Sequence, residues 1–424
     1  MLVKSFVLRK ENFNAIVKQC VPGTIAIVRP EKLLENLFRT FIYKRIVEKD
    51  VANKEFLEVK SYLDSVSDNL MYQHKKDEFL VYVQDYVDKA IGYAVPVNSV
   101  EDFILAQCAN LCSQVVAYSI NVETLDGRDL VVCDQKEGAP VFDWAATHKE
   151  IECKCKGKSL LIVSGGYARS PLGIVVGIGK GGANLMAALI ASAIKAESVE
   201  FYVEGEGING ISSMTYDEAA HYCASKKAPF PSAVLWPAKL AGIPILVKGI
   251  QHPEFEGTRI SSAPEDATRE VSGIVVDQDL DLVTVYGTGL LGRVGASSAI
   301  FSSLAKVGVN VRFIAQTSSE YAISFAVSVN DSEKVSKVLN SMMVNNPLIP
   351  LDDVMAVKRE VAILTIYGSH MKSVPGVSGK LFSLLGEANV NVIASAQGGE
   401  ELSISVVLDT ADLEKAQQVL AVLL

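Results

Sequence analysis

The final third of the chain carries one residue pattern twice. Matching residues lie 81 positions apart without a gap: Gly287 and Gly368, Phe301 and Phe382, Asn310 and Asn391, Ala315-Gln316 and Ala396-Gln397, Ile323-Ser324 and Ile404-Ser405. Self-similarity at a fixed spacing is the signature of a repeated structural unit. The chain must therefore accommodate two copies of one small module in this region.

Each copy has the local pattern of a βαββαβ module. In the first copy, residues 282–286 are rich in β-formers, and residues 296–307 have apolar positions at helical spacing. Segments 309–315 and 321–327 are predicted strands around a polar turn, and Asp331 is predicted to cap a second helix. Strands joined by helical crossovers place both helices on one face of a sheet.

The second copy reaches Leu424 at the end of its second helix, so its fourth strand is missing. A β-rich segment, 273–276, stands just before the first copy without a role of its own. We predict that this segment supplies the missing strand and so inserts one module within the other. The predicted domains are 1–262, 273–345 and 359–424.

Composition limits the classes of function. A chain of 424 residues with 49% hydrophobic and 21% charged residues is a globular protein of two or three domains. A net charge of −9 argues against nucleic acid as the main partner, because phosphate binding needs concentrated Lys and Arg. We find no apolar run long enough to span a bilayer and no signal-peptide pattern. Seven cysteines, an odd number, favour a reducing compartment. We therefore expect a cytoplasmic protein without a membrane partner.

Several motifs in and before the repeat resemble those of aspartokinases. In the paired ACT domains of that family, the matching pieces are Ala-Gln-Thr-Ser-Ser-Glu (315–320), Ile-Ser-Phe (323–325), Val-Pro-Gly-Val (374–377) and Asn-Val-Asn-Val (389–392). Upstream, the matching segments are 214–220, 242–248 and 256–258. The resemblance implies an α/β protein, in which an amino-acid-kinase-like α/β/α sandwich is followed by two interleaved ferredoxin-like (βαββαβ) ACT domains.

The family's kinase motifs are altered in this chain. Aspartokinases open with Lys-Phe-Gly-Gly-Thr-Ser, whereas this chain has Lys4-Ser-Phe-Val-Leu-Arg9. Lys4 is the candidate for the remaining lysine, and the glycines that approach ATP phosphates are absent. The glutamate of the family's Ser-x-Gly-Glu helix, which holds the substrate ammonium, corresponds to Ala109.

A second family motif, Leu-Gly-Arg-Gly-Gly-Ser-Asp, corresponds to residues 178–184. Lys180 replaces the arginine and loses its planar fork, while Ala183 and Asn184 replace serine and aspartate. The nucleotide loop after Gly210 looks deleted by comparison with the family. Losing one preorganised electrostatic contact costs about 2.7–4 kcal/mol of transition-state stabilisation. We therefore expect a silent or nearly silent kinase site, with Lys4 and Lys180 as vestigial candidates for catalysis.

A weak phosphate-binding signal remains. Gly179, Gly181 and Gly182 precede a predicted helix and could present backbone N–H groups to an anion, and Glu204 could hold a cation beside it. The alternative for the glycines is a tight strand-to-helix turn, and the alternative for Glu204 is a solvated strand end. The resemblance implies ATP and Mg²⁺ as cofactors if the kinase is active, and otherwise we expect none.

Other candidates have simpler interpretations. His148, Cys153 and Cys155 are one ligand short of a closed zinc site, with the cysteines on a predicted strand, and we expect buried cysteines without a metal. Residues 30–100 are predicted to be packed helices, with one apolar face formed by Leu33, Leu37, Phe38 and Phe41.

The ACT resemblance implies a site for a free amino acid, lysine or threonine. Such a ligand needs N–H donors for its carboxylate and acceptors for its ammonium group. The candidates are Gly295, Ser297, Gln316, Asn389 and Asn391, although Asn391 could instead end a helix-to-strand turn. The resemblance also implies a homodimer through the ACT domains and, as a further partner, an active aspartokinase.

Two functions stay open. The first is a regulatory or structural homologue with an inactive kinase site. The second is an active aspartokinase, which would make 4-phospho-L-aspartate from ATP and L-aspartate on the path to lysine, threonine and methionine.

Overall fold

The computed structural model describes residues 1–49, 51–136, 139–204, 208, 211–224, 228–252, 255–263, 270–286, 295–316, 322–344 and 355–424. The chain divides into two compact units. The first comprises Met1–Ala220 and Ala228–Glu265, and the second comprises His221–Lys227 and Asp266–Leu424.

The chain up to Ser261 alternates between strands and helices. The strands are β1 (Leu2–Leu8), β2 (Thr24–Pro30), β3 (Thr124–Leu125), β4 (Cys133–Lys136), β5 (Ala139–Phe142), β6 (Leu160–Ser164), β7 (Tyr167–Arg169), β8 (Val175–Gly177), β9 (Ser198–Val203), β10 (Ser213–Thr215), β11 (Ile245–Gly249) and β12 (Thr258–Ser261). The helices are α1 (Phe13–Gln19), α2 (Lys32–Ile46), α3 (Asn53–Asp64), α4 (Leu70–Gly92), α5 (Val97–Ile120), α6 (Trp144–Cys155), α7 (Gly182–Ile194), α8 (Tyr216–Tyr222) and α9 (Trp236–Ala241).

Eight of these strands form one sheet in the order β10-β12-β11-β9-β1-β2-β6-β3. Strands β11, β9, β1, β2, β6 and β3 run parallel to one another, and β12 is antiparallel to β11. The central strands are almost entirely buried. Parallel sheets need helices on both faces to bury strands of this kind.

Side-chain alternation assigns helices to the two faces. Phe6 and Leu8 of β1 belong to a buried cluster with residues of α1, α2 and α5, whereas Ser5 is hydrogen-bonded to α7. Successive side chains of a strand point to opposite faces. Helices α5 and α7 therefore cover opposite faces, and the first unit is an α/β/α sandwich, which confirms the predicted architecture.

Helix α5 corrects the expectation about membrane spans. Among the described residues it is the one helix long and apolar enough to cross a membrane, by length and composition. The sequence does not show this as an uninterrupted apolar run, because small and amide residues are interspersed along it. More than half of its most apolar stretch is buried within the protein, and it packs against β2 and β6 as a core helix.

Two local expectations are wrong. Cys153 and Cys155 lie on α6, whose first turn is capped by Asp143, and not on a strand. Residues two apart on a helix face in different directions, so Cys155 is buried while Cys153 is exposed. Leu33 is 55% exposed, because it lies one position before the buried stripe of α2, which consists of Leu34, Phe38, Phe41 and Ile42.

The second unit contains both copies of the repeat. Its strands are β13 (Gly273–Tyr286), β14 (Phe313–Gln316), β15 (Ala322–Ser328), β16 (Met355–Tyr367), β17 (Ala394–Gln397) and β18 (Ser403–Asp409), and its helices are α10 (Ala296–Lys306), α11 (Ser332–Val344), α12 (Val377–Glu387) and α13 (Leu413–Leu420). The sheet order is β14-β15-β13-β16-β18-β17. The helices of the two modules cover two separate apolar clusters.

Strands β13 and β16 each serve both modules. Residues 273–277 pair antiparallel with 363–367, and 282–285 pair with 355–358. The segment 273–276, predicted to complete the second module, lies in the first of these pairings. The second pairing is absent from the predicted boundaries: residues 355–358, placed outside both modules, supply the fourth strand of the first. The exchange is therefore reciprocal.

The two modules repeat each other in detail at the same spacing of 81 residues. The Thr284 and Ser324 hydroxyl oxygens are 2.9 Å apart, and those of Thr365 and Ser405 are 2.7 Å apart. Left-handed φ angles recur in the same way: Asp279 (60°) and Glu360 (56°), Gly295 (87°) and Gly376 (92°), Gly308 (73°) and Asn389 (55°).

Candidate functional site

The glycine turn before α7 is packed against protein atoms at two of its three glycines. A Cβ on Gly181, which has a φ of 73°, would lie 2.7 Å from Pro231 Cδ, and one on Gly182 would lie 2.8 Å from Ile178 Cγ1. Gly179 has a φ of 82° with open space around it. Packing alone therefore accounts for Gly181 and Gly182, whether or not an anion binds at the turn.

A neutral pair lies beside this turn. Ser5 of β1 is 1% exposed, and its hydroxyl donates a hydrogen bond of 2.7 Å to Oδ1 of Asn184, in the first turn of α7. Asn184 stands where the family has aspartate. Ser5 and Asn184 thus form a neutral hydrogen-bonded pair between β1 and α7.

Lys4 points to the opposite face of the sheet from Ser5. Its ammonium group donates hydrogen bonds of 3.2 Å to the backbone oxygen and Oε1 of Gln19, and it lies 3.5 Å from Glu200 Oε2. Glu200 also accepts hydrogen bonds from Lys248 and Tyr202. Burial, and then the neighbouring Glu200 carboxylate, raise the pKa of Tyr202. Lys4 therefore belongs to a buried charge network and not to the glycine turn.

Four side chains meet where three neighbouring parallel strands end. Arg9, Glu31 and Glu204 directly follow β1, β2 and β9. Arg9 Nε lies 3.0 Å from Glu31 Oε2, and Arg9 also forms an ion pair with Glu204. Tyr62 donates a hydrogen bond to Glu31. This edge of an open α/β sheet is the usual ligand site, and here the two carboxylates are engaged by the chain's own arginine.

The two remaining kinase-motif positions differ in their exposure to solvent. Ala109 is buried on α5, and Lys180 is exposed. In the described part of the chain, no group of three His, Cys, Asp or Glu side chains is arranged to hold a metal ion.

Two half-buried carboxyl groups near α5 are missed by motif reasoning. Asp102 accepts a 3.2 Å hydrogen bond from the Gly177 N–H, which ties α5 to the strand that leads into the turn. Burial raises the pKa of Asp102, opposed by that hydrogen bond and by Arg39. Burial likewise raises the pKa of Glu35, opposed by Arg29, Arg39 and Lys32. Neither position lies in a family motif, so the sequence offered no signal for them.

Three of the predicted effector positions lie at one end of the first module. Gly295 precedes α10 with a φ of 87°, Ser297 lies in the first turn of α10, and Gln316 is exposed at the end of β14. The loop that leads to Gly295, residues 287–294, lies outside the described residues.

Asn389 and Asn391 follow the carboxyl end of α12, at the opposite end from Gly376. Asn389 is exposed and left-handed, with a φ of 55°, and its counterpart in the first module is Gly308, also left-handed. Glycine and asparagine are the residues that adopt this conformation most readily. A backbone role therefore accounts for Asn389 without a ligand.

The second module contains a cavity of about 300 Å³ at the amino end of α12. Gly376, Ser378 and Gln397 line it, and these are the counterparts, at the 81-residue spacing, of Gly295, Ser297 and Gln316. Lys372 and Glu401 line it as well and were not among the predicted residues. The sequence signal for Glu401 was its repeat match with Glu320, whereas Lys372, whose counterpart is Leu291, had none.

Known proteins resemble this chain both in its repeated modules and over most of its length. A family model described as the ACT domain matches residues 283–342 and 364–422. The bifunctional aspartokinase/homoserine dehydrogenase 2 of Arabidopsis thaliana is 28% identical over 343 residues, which cover 75% of this chain and 37% of that relative. The chain thus spans well under half the length of this curated relative.

Solved structures share the fold across the whole chain. The aspartate kinase of Clostridium acetobutylicum matches with a TM-score of 0.79 and 18% identity, covering 100% of this chain and 99% of that one. Aspartokinase III of E. coli, in its complex with lysine and aspartate, matches with a TM-score of 0.80 and 17% identity over the same shares. The chain therefore has the fold of these aspartate kinases, carries an ACT pair, and is similar in sequence to aspartokinase relatives over most of its length.

Proposed function

We propose that this chain is a regulatory or structural homologue of aspartokinase, in which the ACT pair binds a free amino acid and the kinase-like domain is silent or nearly so. The Ser5–Asn184 hydrogen bond is the observation that supports a silent kinase-like domain. Phosphoryl transfer depends on cations that offset phosphate charge next to the glycine turn. A neutral pair beside the turn provides no such charge, and Lys4 is engaged on the other face.

The strand ends fit Mg²⁺ and ATP poorly. Glu31 and Glu204 are the carboxylates at these strand ends that could hold a cation, yet both are paired with Arg9. Arg9 in turn has its charge offset by these two groups. A nucleotide would have to break this network before its phosphates could contact the arginine. These residues therefore support a domain that keeps the fold and has lost the phosphate site.

The test is a direct assay of L-aspartate phosphorylation with ATP and Mg²⁺, with E. coli aspartokinase III assayed in parallel. We expect turnover well below about 1 s⁻¹, the lower end of the usual enzyme range. The Lys180→Ala variant is the matched control, because activity that survives this change unaltered does not come from the glycine turn. Turnover of about 1 s⁻¹ or more that falls in the variant contradicts the proposal.

The alternative is an active aspartokinase that uses ATP and Mg²⁺ to make 4-phospho-L-aspartate. The observation that favours it is the preserved turn, with left-handed Gly179 in open space and exposed Lys180 just before the amino end of α7. The amino end of a helix attracts anions. The assay above decides between the two functions.

The amino-acid half of the proposal is supported by the cavity at α12. Lysine is the first effector to test, since the E. coli relative is described in complex with lysine and aspartate, and threonine is the second. A ligand at about 100 times its dissociation constant adds about 2.7 kcal/mol to the free energy of unfolding. Calorimetry and thermal shift with all twenty amino acids measure this, and a flat response to every one removes the sensing role.

We also propose a cytoplasmic homodimer formed through the ACT domains, or a complex with an active aspartokinase, without nucleic acid or membrane partners. Support comes from β14 and β17, each of which has a single neighbour in the described sheet. Such edges can pair with a further strand. Light scattering of the purified chain measures its oligomeric state, and a monomer at all concentrations contradicts the dimer.

A further inference from the structure

Two bulges interrupt the pairing of β13 with β16, one on each strand. Residues 278–279 of β13 lie opposite a single residue of β16, and residues 359–360 of β16 lie opposite a single residue of β13. Between the two bulges, Leu280 pairs with Val361. These two residues are counterparts at the 81-residue spacing, so an approximate two-fold axis that relates the two modules passes between them.

Each bulge contains a left-handed residue that is not glycine. The φ angle is 60° at Asp279 and 56° at its counterpart Glu360. This conformation is unfavourable for most residues with a side chain, and it persists only where the surrounding structure imposes it. Asp281 supports it at Glu360: Asp281 is 3% exposed, and its Oδ1 accepts a hydrogen bond of 3.2 Å from the Glu360 N–H. The counterpart of Asp281 is Ala362, so this carboxylate serves the bulge on β16.

The sheet is strongly curved at this junction. Five strand spacings separate β14 from β17, and in a flat sheet they would amount to about 24 Å. The two strands nevertheless approach each other, and both contribute to one apolar cluster. Phe313 of β14 and Ala394 of β17 belong to this cluster together with Leu280 and Val361. Because bulges bend the strands that carry them, the pair of bulges accounts for the curvature.

An ion pair connects the bulge on β13 to an edge strand. Asp277 directly precedes this bulge, and its Oδ2 lies 3.3 Å from Nε of Arg312, which directly precedes β14. The Asp277 side chain is largely buried, with 13% of its surface exposed. A change of bend at the bulge is therefore passed on to β14.

We propose that the two bulges form a hinge between the modules, and that Asp281 is the positioning residue that holds the hinge bent. Opening of the hinge separates β14 from β17 and exposes the apolar cluster between them. Gln316 and its counterpart Gln397 end these two strands, so the hinge sets the distance between matching ends of the modules. This mechanical link goes beyond the proposed sensing function and does not depend on it.

The experiment measures the distance between β14 and β17 in the full chain by pulsed electron–electron double resonance. Spin labels are attached at Ile314→Cys and Ser395→Cys, which are exposed counterparts on the two edge strands. Cys153→Ser and Cys223→Ser remove the two cysteines that are not buried. We expect this labelled chain to give one narrow distance distribution.

Three variants of the labelled chain test the hinge. Asp281→Ala, which installs the second-module residue, should broaden the distribution and shift it to longer distances, because the Glu360 N–H loses its acceptor. Asp281→Asn should keep the narrow distribution, since its amide oxygen can accept the same hydrogen bond. The control Leu385→Ala opens a cavity in the helix-covered cluster of the second module, and it should lower stability without changing the distribution.

An unchanged distribution in Asp281→Ala overturns the hinge. Equal broadening in Asp281→Asn or Leu385→Ala also overturns it, because a general loosening of the unit then explains the result. If Asp281→Ala does not fold, Glu360→Gly decides. Glycine adopts left-handed and other backbone conformations readily, so a hinge at this position broadens the distribution, whereas an unchanged distribution overturns the inference. The distances are measured without ligand, so failure of the hinge leaves the proposed sensing function standing.

Discussion

Two of the glycine-bearing turns that lead into a helix, the one before α7 and the one before α12, differ in what surrounds them. At the turn before α7, a Cβ on Gly181 or Gly182 would meet protein atoms at 2.7 and 2.8 Å. At the turn before α12, the same test at Gly376 finds nothing within 4 Å, and a cavity opens there. One turn is filled by its own protein, and the other is open to a ligand.

This difference shows that a glycine pattern alone does not report a binding site. Both turns have left-handed backbone and both precede a helix of more than ten residues. Both turns also carry an exposed lysine, Lys180 at the first and Lys372 at the second, so charge does not distinguish them. Three predictions sharpen or break this comparison.

The largest effect is expected from Glu200→Gln. Glu200 and Lys4 have side chains that are each 6% exposed, and Lys248 is also paired with Glu200. Removing the carboxylate leaves two largely buried cations without their partner, which typically costs about 3–5 kcal/mol. Chemical denaturation of the full chain measures this loss. The control is Glu204→Gln, whose side chain is 70% exposed and which should cost less than about 1 kcal/mol. Similar losses in the two variants would mean that Lys4 is not part of the structural network.

A smaller effect is expected at the two glycine turns. Gly181→Ala adds a Cβ against the Pro231 ring in left-handed backbone, and strain and overpacking together should cost about 3 kcal/mol. Gly376→Ala meets open space and should cost about 1–2 kcal/mol for the backbone strain alone. Denaturant midpoints for the two variants measure the difference. If both lose the same stability, the distinction between a filled and an open turn is wrong.

The smallest effect concerns the pH dependence of stability. Burial raises the pKa of Glu35, so the folded state binds a proton more tightly than the unfolded state does. Between the ordinary carboxyl pKa and the raised one, the folded state holds more protons, and the free energy of unfolding falls as pH rises. Glu35→Gln should remove part of this decline and slightly stabilise the protein at neutral pH. Denaturation at pH 4 to 7 checks this, and an unchanged pH slope contradicts it.

The sequence predicted the repeated modules well, because each carries strand and helix patterns at a fixed spacing. It missed the reciprocal exchange, because residues 355–358, the counterparts of 274–277 at the same spacing, share with them only the single match of Val276 and Val357. At the kinase-like site it selected Lys4, whereas Ser5 faces α7. A shift of one residue along a strand moves a side chain to the other face of the sheet. Motif alignment without glycines to fix the register cannot resolve such a shift.

The effector site shows a similar limit. Gly295, Ser297 and Gln316 correspond by the repeat to residues that line the cavity, whereas Asn389 follows the other end of its helix. Amide side chains are common both at ligands and at left-handed turns. Composition therefore does not separate the two roles, and the φ angle at Asn389 does.

The shared strands β13 and β16 have a consequence for how the second unit loses its structure. Each module receives one strand segment from the other, so neither has a complete four-stranded sheet when its neighbour is unfolded. The pair should melt in a single cooperative transition, and a chain cut between α11 and β16 should yield two fragments that are unstable apart and reassemble when mixed. A ligand in one cavity would then protect the amide hydrogens of both modules from exchange, even those in the module that it never touches.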